Sequence, residues 1–263
     1  MAQQHKARKR FGQNFLQDQS VIDRIVAAIN PESSDQLVEI GPGLGALTYP
    51  VLDRAGKLDV IELDRDIIPI LKAGAEQHGE LTIHSADALA FDYGSLLGGA
   101  TSMKVYGNLP YNISTPLIFH LFEHADIISE MHFMLQKEVV DRMTASPGNK
   151  QYGRLTIMTQ YFCQAVALFD VPPHAFQPAP KVMSSIVRLI PYKKKPIQTK
   201  DVGHLNHVVT TAFNFRRKTV RNALKAFASE DQLIELGIKP DLRPEALSLE
   251  QFIAVADASY NPD

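Results

Sequence analysis

Between Val105 and Asn112 an apolar run, Val105-Tyr106-Gly107, stops at Asn108-Leu109-Pro110-Tyr111-Asn112. These residue types at this spacing suit alkylation of an exocyclic amine on a nucleobase. Such an amine is a weak nucleophile because its lone pair is delocalised into the ring, and hydrogen-bond acceptors localise that pair. The side-chain oxygen of Asn108 is one acceptor. The carbonyl of Leu109 is a second, because Pro110 restricts the residue before it to an extended conformation that holds the carbonyl outward. Tyr111 adds a flat face. A base swung out of its stack loses a few kcal/mol, and stacking on an aromatic ring returns roughly 1 to 3 kcal/mol. Asn-x-Pro-Tyr alone can also end an ordinary strand in a turn, so the reading depends on what the rest of the chain brings to these residues.

Four strand ends are in a position to do so. Leu37-Val38-Glu39-Ile40 reads as a short apolar strand, followed by Gly41-Pro42-Gly43-Leu44-Gly45 and a helical stretch from Ala46 to Leu52. Glycines let the backbone approach a ligand closely, and a helix start offers free amides, so this unit can cradle a cofactor. Its Gly-x-Gly-x-Gly spacing differs from the Gly-x-Gly-x-x-Gly of dinucleotide binders. Leu58 to Ile61 forms a second strand that ends at Glu62, seventeen residues beyond Gly45, where a carboxylate can accept from both hydroxyls of a ribose. Leu81 to His84 leads to Asp87, which suits a helix cap as well as an adenine contact. Met103 to Tyr106 delivers Asn108. In a doubly wound parallel sheet these strand ends meet at one crevice, so Gly41, Glu62, Asp87 and Asn108 are expected to line a single site.

Before this sheet, Phe11-Gly12-Gln13-Asn14-Phe15-Leu16 is too irregular for a helix or strand and reads as a segment packed over something. Val21, Ile22, Ile25, Val26 and Ile29 recur at helical spacing behind a cap at Ser20. After the site come a helix over Pro116–Phe122, a strand over Met131–Leu135 and a helix from Gln136 to Met143. A flexible basic loop from Thr144 to Arg154 leads to a helix over Leu155–Gln164. Ala165 to Val171 reads as a strand, and Ser185 to Ile190 as the strand that closes the sheet. Between them, the proline-rich loop from Pro172 to Lys181 carries Phe176, either a core plug or a second stacking face for an extruded base.

The chain has 263 residues, 45% of them apolar, enough for one large domain or for a medium and a small one. Its single cysteine, Cys163, excludes an internal disulfide and a cysteine-rich metal site, and its apolar surroundings predict a buried thiol in a reducing, cytoplasmic compartment. Lys6, Arg8, Lys9 and Arg10 are not followed by the apolar core of a signal peptide, and no run reaches membrane-span length. Net charge is −2, but it is unevenly spread. Lys193 to Lys225 holds nine Lys or Arg against Asp201 alone, whereas Ala226 to Asp263 holds two against eight acids. Pro191 to Pro196 reads as a linker, dividing the chain into domains at 1–192 and 193–263. Beyond it, Arg217, Arg221 and Lys225 fall on one helical stripe suited to phosphate contact, with Arg216 and Lys218 alongside. Ser229 with Gln232 and Ser248 with Gln251 read as capping boxes.

With these motifs assembled, the chain resembles the bacterial KsgA family of small-subunit ribosomal RNA adenine dimethyltransferases. The likeness rests on Phe11 to Leu16, on Glu39-Ile40-Gly41-Pro42-Gly43-Leu44-Gly45, on Asn108 to Thr115 and on Phe213 to Leu224, all in family order. Met183 departs from it, standing where an acid is common. The resemblance implies a Rossmann-like, mostly parallel doubly wound α/β sheet of the class I methyltransferase type with a small all-helical C-terminal domain. It implies S-adenosylmethionine as cofactor, held by Asn14, Leu16, Gly41, Gly43, Glu62, Asp87 and Asn108, with Glu62 at the ribose and Asp87 at the adenine. Asn108, Leu109, Pro110, Tyr111 and Phe176 would hold the target base. Lys6, Arg8, Lys9, Arg10, Arg216, Arg217, Lys218, Arg221 and Lys225 would contact RNA. The implied product is N6,N6-dimethyladenosine at two adjacent adenosines in a hairpin near the 3' end of the RNA of an assembling small ribosomal subunit. Neither a metal nor a membrane is needed, and a monomer is expected. A nicotinamide dehydrogenase would share the glycine turn and Glu62, and a non-catalytic RNA-binding factor would share the basic face. Neither would need the Asn-Leu-Pro-Tyr element. DNA adenine methylation is a third possibility, which duplex DNA offered beside ribosomal subunits would separate.

Overall fold

The computed structural model describes residues 14–262. In chain order it runs β1 (Phe15–Leu16), α1 (Gln19–Ile29), β2 (Leu37–Ile40), α2 (Thr48–Ala55), β3 (Lys57–Ile61), α3 (Ile68–Ala75), β4 (Glu80–His84), β5 (Met103–Asn108), α4 (Ser114–Glu123), β6 (Ile128–Gln136), α5 (Lys137–Met143), α6 (Arg154–Phe162), β7 (Cys163–Val171), β8 (Phe176–Gln177) and β9 (Ser184–Pro191). Four helices follow: α7 (Val202–Asn214), α8 (Val220–Ala223), α9 (Glu230–Glu235) and α10 (Leu249–Ser259).

All four residues of β2 are buried, as a strand covered on both faces requires. It pairs in parallel with β3 on one side and β5 on the other, and the seven-stranded sheet has the order β4-β3-β2-β5-β6-β9-β7. β3 with β4 and β5 with β6 are also parallel, whereas β9 runs antiparallel to β6. The chain leaves β2 toward β4 and returns to β5 on the other side, so the strand order switches between β2 and β5 and a crevice opens at their carboxyl ends. There the two strands touch closely: a Cβ on Gly107 would run into the Ile40 carbonyl oxygen. The sheet is the doubly wound, mostly parallel one expected. β9 does not close it, however. β9 lies between β6 and β7, and β7 forms the edge.

Local chemistry moves several boundaries. Asp18, not Ser20, caps α1, its carboxylate accepting from the amides of Ser20 and Val21. Ser20 lies one position inside the helix and donates its own hydroxyl to the same carboxylate at 2.6 Å. Gly41, Gly43 and Gly45 take φ of 67°, 56° and 89°, which no right-handed helix holds, so the turn persists to Leu47 and α2 starts at Thr48 rather than Ala46. Phe15 and Leu16 do form strand pairs, with Gln177 and Phe176, so the end of the irregular N-terminal segment is a short ribbon across the proline loop. Residues 11–13 lie outside the described residues.

The described residues separate into two compact units, residues 14–140 with 166–191, and residues 141–165 with 192–262. The second takes in Asp141–Ala165, which the sequence reading places in the first domain. The reason is packing: Tyr152, Ile157 and Tyr161 are buried in one apolar cluster with Leu205, Val208, Val209 and Phe252 of α7 and α10. Nor does Thr144–Arg154 behave as a free loop. The Gly148 amide donates to the Glu245 carbonyl at 2.7 Å, and Arg154 Nε donates to Asn206 Oδ1 at 2.8 Å. Both capping boxes are present, at Ser229 with Gln232 and at Ser248 with Gln251. Cys163 is buried, and burial pushes its thiol up to about 12.

Candidate active site

A cavity of about 770 Å³ lies in the first unit at the carboxyl ends of β2, β3 and β5. Asn14, Leu16, Gly41, Gly43, Glu62, Asp87, Asn108, Leu109, Pro110 and Tyr111 all line it. Gly41 and Asn108 face each other across the strand switch, since a Cβ on Gly41 would lie 3.9 Å from the Asn108 carbonyl oxygen. Phe176 is not among the lining residues. It is 3% exposed and sits in the core cluster that also contains Leu16, its partner in the β1–β8 ribbon.

The base-facing element is held at several points. Asn108 Nδ2 donates to the Asn14 carbonyl at 3.0 Å, which fixes the amide plane and leaves Oδ1 with no donor among the described residues. Leu109 is 1% exposed, and its amide donates to the Met134 carbonyl at 3.2 Å. No described residue donates to its carbonyl. The turn is closed by the Ile113 amide on the Pro110 carbonyl at 3.1 Å. The Tyr111 hydroxyl lies 2.7 Å from the Ser184 hydroxyl.

On the opposite side the cavity is acidic. Glu62 Oε1 accepts from the Asp64 amide at 2.7 Å. Burial raises the Glu62 carboxyl above the usual carboxylate range, against the lowering effect of the Asp64 and Gly43 amides. Asp87 Oδ1 accepts from the Leu89 amide at 3.0 Å, closing a short turn rather than capping a helix. Glu39 is 2% exposed, and its Oε2 accepts from Thr48 Oγ1 at 2.7 Å and Tyr106 Oη at 3.3 Å. Burial pushes its carboxyl up to about 8. Four acids, Glu39, Asp53, Glu62 and Asp87, line the cavity, and no Lys or Arg does so among the described residues. Glu39 was not singled out from the sequence, although an acid inside an apolar strand is a legible signal. Ser184 had none, since it stands 73 residues from the ring it touches.

The basic segment of the second unit differs from a helical stripe. α7 ends at Asn214, residues 215–218 turn and bend, and α8 covers only Val220–Ala223, so Arg217, Arg221 and Lys225 do not share one helix. Thr219, extended at φ −67° and ψ 157°, breaks the run so that Val220, Ala223 and Leu224 can be buried. The acidic C-terminal stretch also answers part of the charge. Arg221 Nη1 is 3.4 Å from Glu230, and Arg216 Nε is 3.6 Å from Glu245. Arg217, Lys218 and Lys225 are exposed, and Lys218 lies 4.7 Å above the ring of Phe215, itself 44% exposed. Lys6, Arg8, Lys9 and Arg10 lie outside the described residues.

Among the described residues no group of three or more His, Cys, Asp or Glu could hold a metal ion, and no helix is long and apolar enough to cross a membrane. The fold is that of class I methyltransferases. It is similar to the crystal structure of a dimethyladenosine transferase from Plasmodium falciparum, with a TM-score of 0.79 and 27% identity over 92% of this chain and 95% of that one. It is also similar in fold to the 23S rRNA methyltransferase ErmE, with a TM-score of 0.74 and 23% identity over 94% and 99% of the two chains. The ribosomal RNA small subunit methyltransferase A of Shewanella sp. (strain MR-7) is 58% identical over 253 residues, 96% of this chain and 94% of that protein. Its counterpart in Shewanella baltica (strain OS155) is 59% identical over the same shares. The family model for ribosomal RNA adenine dimethylase matches residues 4–259, taking in the glycine turn, the Asn108 element and the basic segment alike. A match of that extent includes both units, and by it the chain belongs to the ribosomal RNA adenine dimethylase family.

Proposed function

We propose that this chain dimethylates N6 of two adjacent adenosines, in a hairpin near the 3' end of small-subunit ribosomal RNA, from S-adenosylmethionine. The observation that carries the choice of cofactor is the lining of the cavity: beside Glu39, which burial keeps protonated, and Asp53, which faces His78, it presents the acids Glu62 and Asp87 and no Lys or Arg among its described residues. A cationic sulfonium with an ammonium group suits that lining. A dinucleotide would bring a diphosphate against like charge, a juxtaposition that costs several kcal/mol. Glu62 takes the ribose hydroxyls, Asp87 the adenine, and Asn14, Leu16, Gly41 and Gly43 enclose the rest. The names of the Shewanella relatives support the RNA substrate, and the exposed Arg217, Lys218 and Lys225 beside Phe215 suit phosphate and base contact.

The bound donor supplies an electrophilic methyl group on a positively charged sulfur. The protein's share is placement and hydrogen bonding. Asn108 Oδ1 and the Leu109 carbonyl, both without a donor among the described residues, accept from the exocyclic amine and turn its lone pair toward the methyl group. These bonds strengthen as the nitrogen gains positive charge, so they stabilise the transition state more than the ground state. The Tyr111 ring stacks on the extruded base. Labelled methyl transfer to undermethylated small subunits, followed by nucleoside analysis, is expected to yield N6,N6-dimethyladenosine. Label in duplex DNA instead, or a thermal shift with NAD but not with S-adenosylmethionine, would overturn the reading.

A further inference from the structure

Ser184 opens β9, pairs with Gln136 at the end of β6 and is fully buried. Both of its neighbours are tied to the scaffold: the Met183 carbonyl accepts from the Lys137 amide at 2.9 Å, and Ser185 Oγ donates to the Phe169 carbonyl at 3.2 Å. The position of the Ser184 hydroxyl is therefore set by the sheet. Tyr111 is placed differently. It follows Pro110 in an irregular turn whose bonds, Ile113 amide to Pro110 carbonyl and Ser114 Oγ to Tyr111 carbonyl at 3.1 Å each, hold its backbone and leave two side-chain torsions free. Among the described residues, the one hydrogen bond on the ring is the 2.7 Å contact with Ser184. That contact fixes the far end of the ring, and because Ser184 is buried, loss of either partner leaves the other without a replacement from the protein's described residues.

We propose that Ser184 is a positioning residue: it holds the Tyr111 ring in the plane that receives the extruded base. The proposal rests on the reading that Tyr111 stacks on the target adenine. Each hydroxyl is useless for this purpose without the other, so removing either should weaken base capture equally and removing both should do no further harm. Losing one net hydrogen bond corresponds to roughly a three- to tenfold effect.

The test uses the full chain with undermethylated small subunits and compares Tyr111→Phe, Ser184→Ala and the double variant. Each single substitution is expected to raise the subunit KM roughly three- to tenfold and to lower kcat less, with S-adenosylmethionine affinity by calorimetry unchanged. The double variant should match either single one, and Ser184→Thr, which keeps the hydroxyl, should restore the parent KM. Multiplied effects in the double variant would overturn the proposal, as would a parent-like KM for Ser184→Ala. Should Ser184→Ala lose donor binding through misfolding, Tyr111→Phe removes the same bond from the other side, and a parent-like KM there is equally fatal. Tyr111→Ala separates the two levels: parent-like kinetics in that variant would remove the stacking reading itself, whereas a large loss there with a harmless Tyr111→Phe would remove only the role of Ser184.

Discussion

Glu39 keeps a proton in the folded protein that the unfolded chain would release. Its carboxyl is pushed from an ordinary 4.5 to about 8, first by burial, then by the nearby charge of Glu62, against the bonds from Thr48 and Tyr106. Because the folded value is the higher one, its contribution to stability is fully present below about 4.5 and is lost as pH rises toward 8. Thermal melts of the ligand-free protein should therefore show the parent losing ground to Glu39→Gln as pH rises from 5 to 8, and parallel curves would contradict this. Glu62 makes a prediction about ligand affinity: Glu62→Ala should cost about 1.5 to 3 kcal/mol in S-adenosylmethionine binding by calorimetry, the size of a lost charged hydrogen bond. An unchanged affinity would remove Glu62 from the ribose. At this scale the sequence was legible where a polar residue ended an apolar strand, as at Glu62, Asp87 and Asn108. It was silent where partners are distant in the chain, as for Ser184. Phe176 carried two readings that only packing separates, and its ring lies in the core.

Between elements, the site depends on how closely β2 and β5 approach. Gly107 lets the strands meet, and a Cβ there would press against the Ile40 backbone, which cannot swing aside like a side chain. Gly107→Ala is expected to destabilise the protein by about 1 to 3 kcal/mol, the usual cost of overpacking, and to weaken donor binding because Gly41 and Asn108 lie on either side of the same seam. Denaturant melts and calorimetry measure the two effects. The alternation of strands and helices made this sheet readable, because parallel strands buried on both faces give continuous apolar runs. The order of β7 and β9 was not readable, since both are apolar runs of similar length. The basic segment misled for another reason. Arg217, Arg221 and Lys225 fit helical spacing, but burying Val220, Ala223 and Leu224 breaks the helix at Thr219. With Arg221 facing Glu230, Arg217 and Lys225 carry the sharper prediction. Alanine at both should lower the salt slope of subunit binding by roughly 0.7 to 0.9 per lost phosphate contact. An unchanged slope in a folded variant would place the RNA elsewhere.

At the scale of the whole molecule, the linker at Pro191–Pro196 suggests a cut that the packing does not allow. A chain ending at residue 192 would keep Tyr152, Ile157 and Tyr161 but lose Leu205, Val208, Val209 and Phe252, with which they form one core. Such a truncation should melt lower and expose apolar surface to a dye, and a truncation as stable as the full chain would contradict the second unit as described. This was hidden from the sequence because residues 141–165 and 192–262 are joined by packing and hydrogen bonds across a gap in the chain. Methylation in this chain's acid-lined cavity depends on Asn108. That dependence is tested most directly by the single-turnover rate of labelled methyl transfer to undermethylated small subunits, with parent and Asn108→Ala each saturated with S-adenosylmethionine and RNA. The parent should convert the target to N6,N6-dimethyladenosine, and Asn108→Ala should be slower by about a hundredfold, the size of losing one preorganised hydrogen-bonding group at a reacting centre. Dimethylation by Asn108→Ala at the parent rate would contradict the claim.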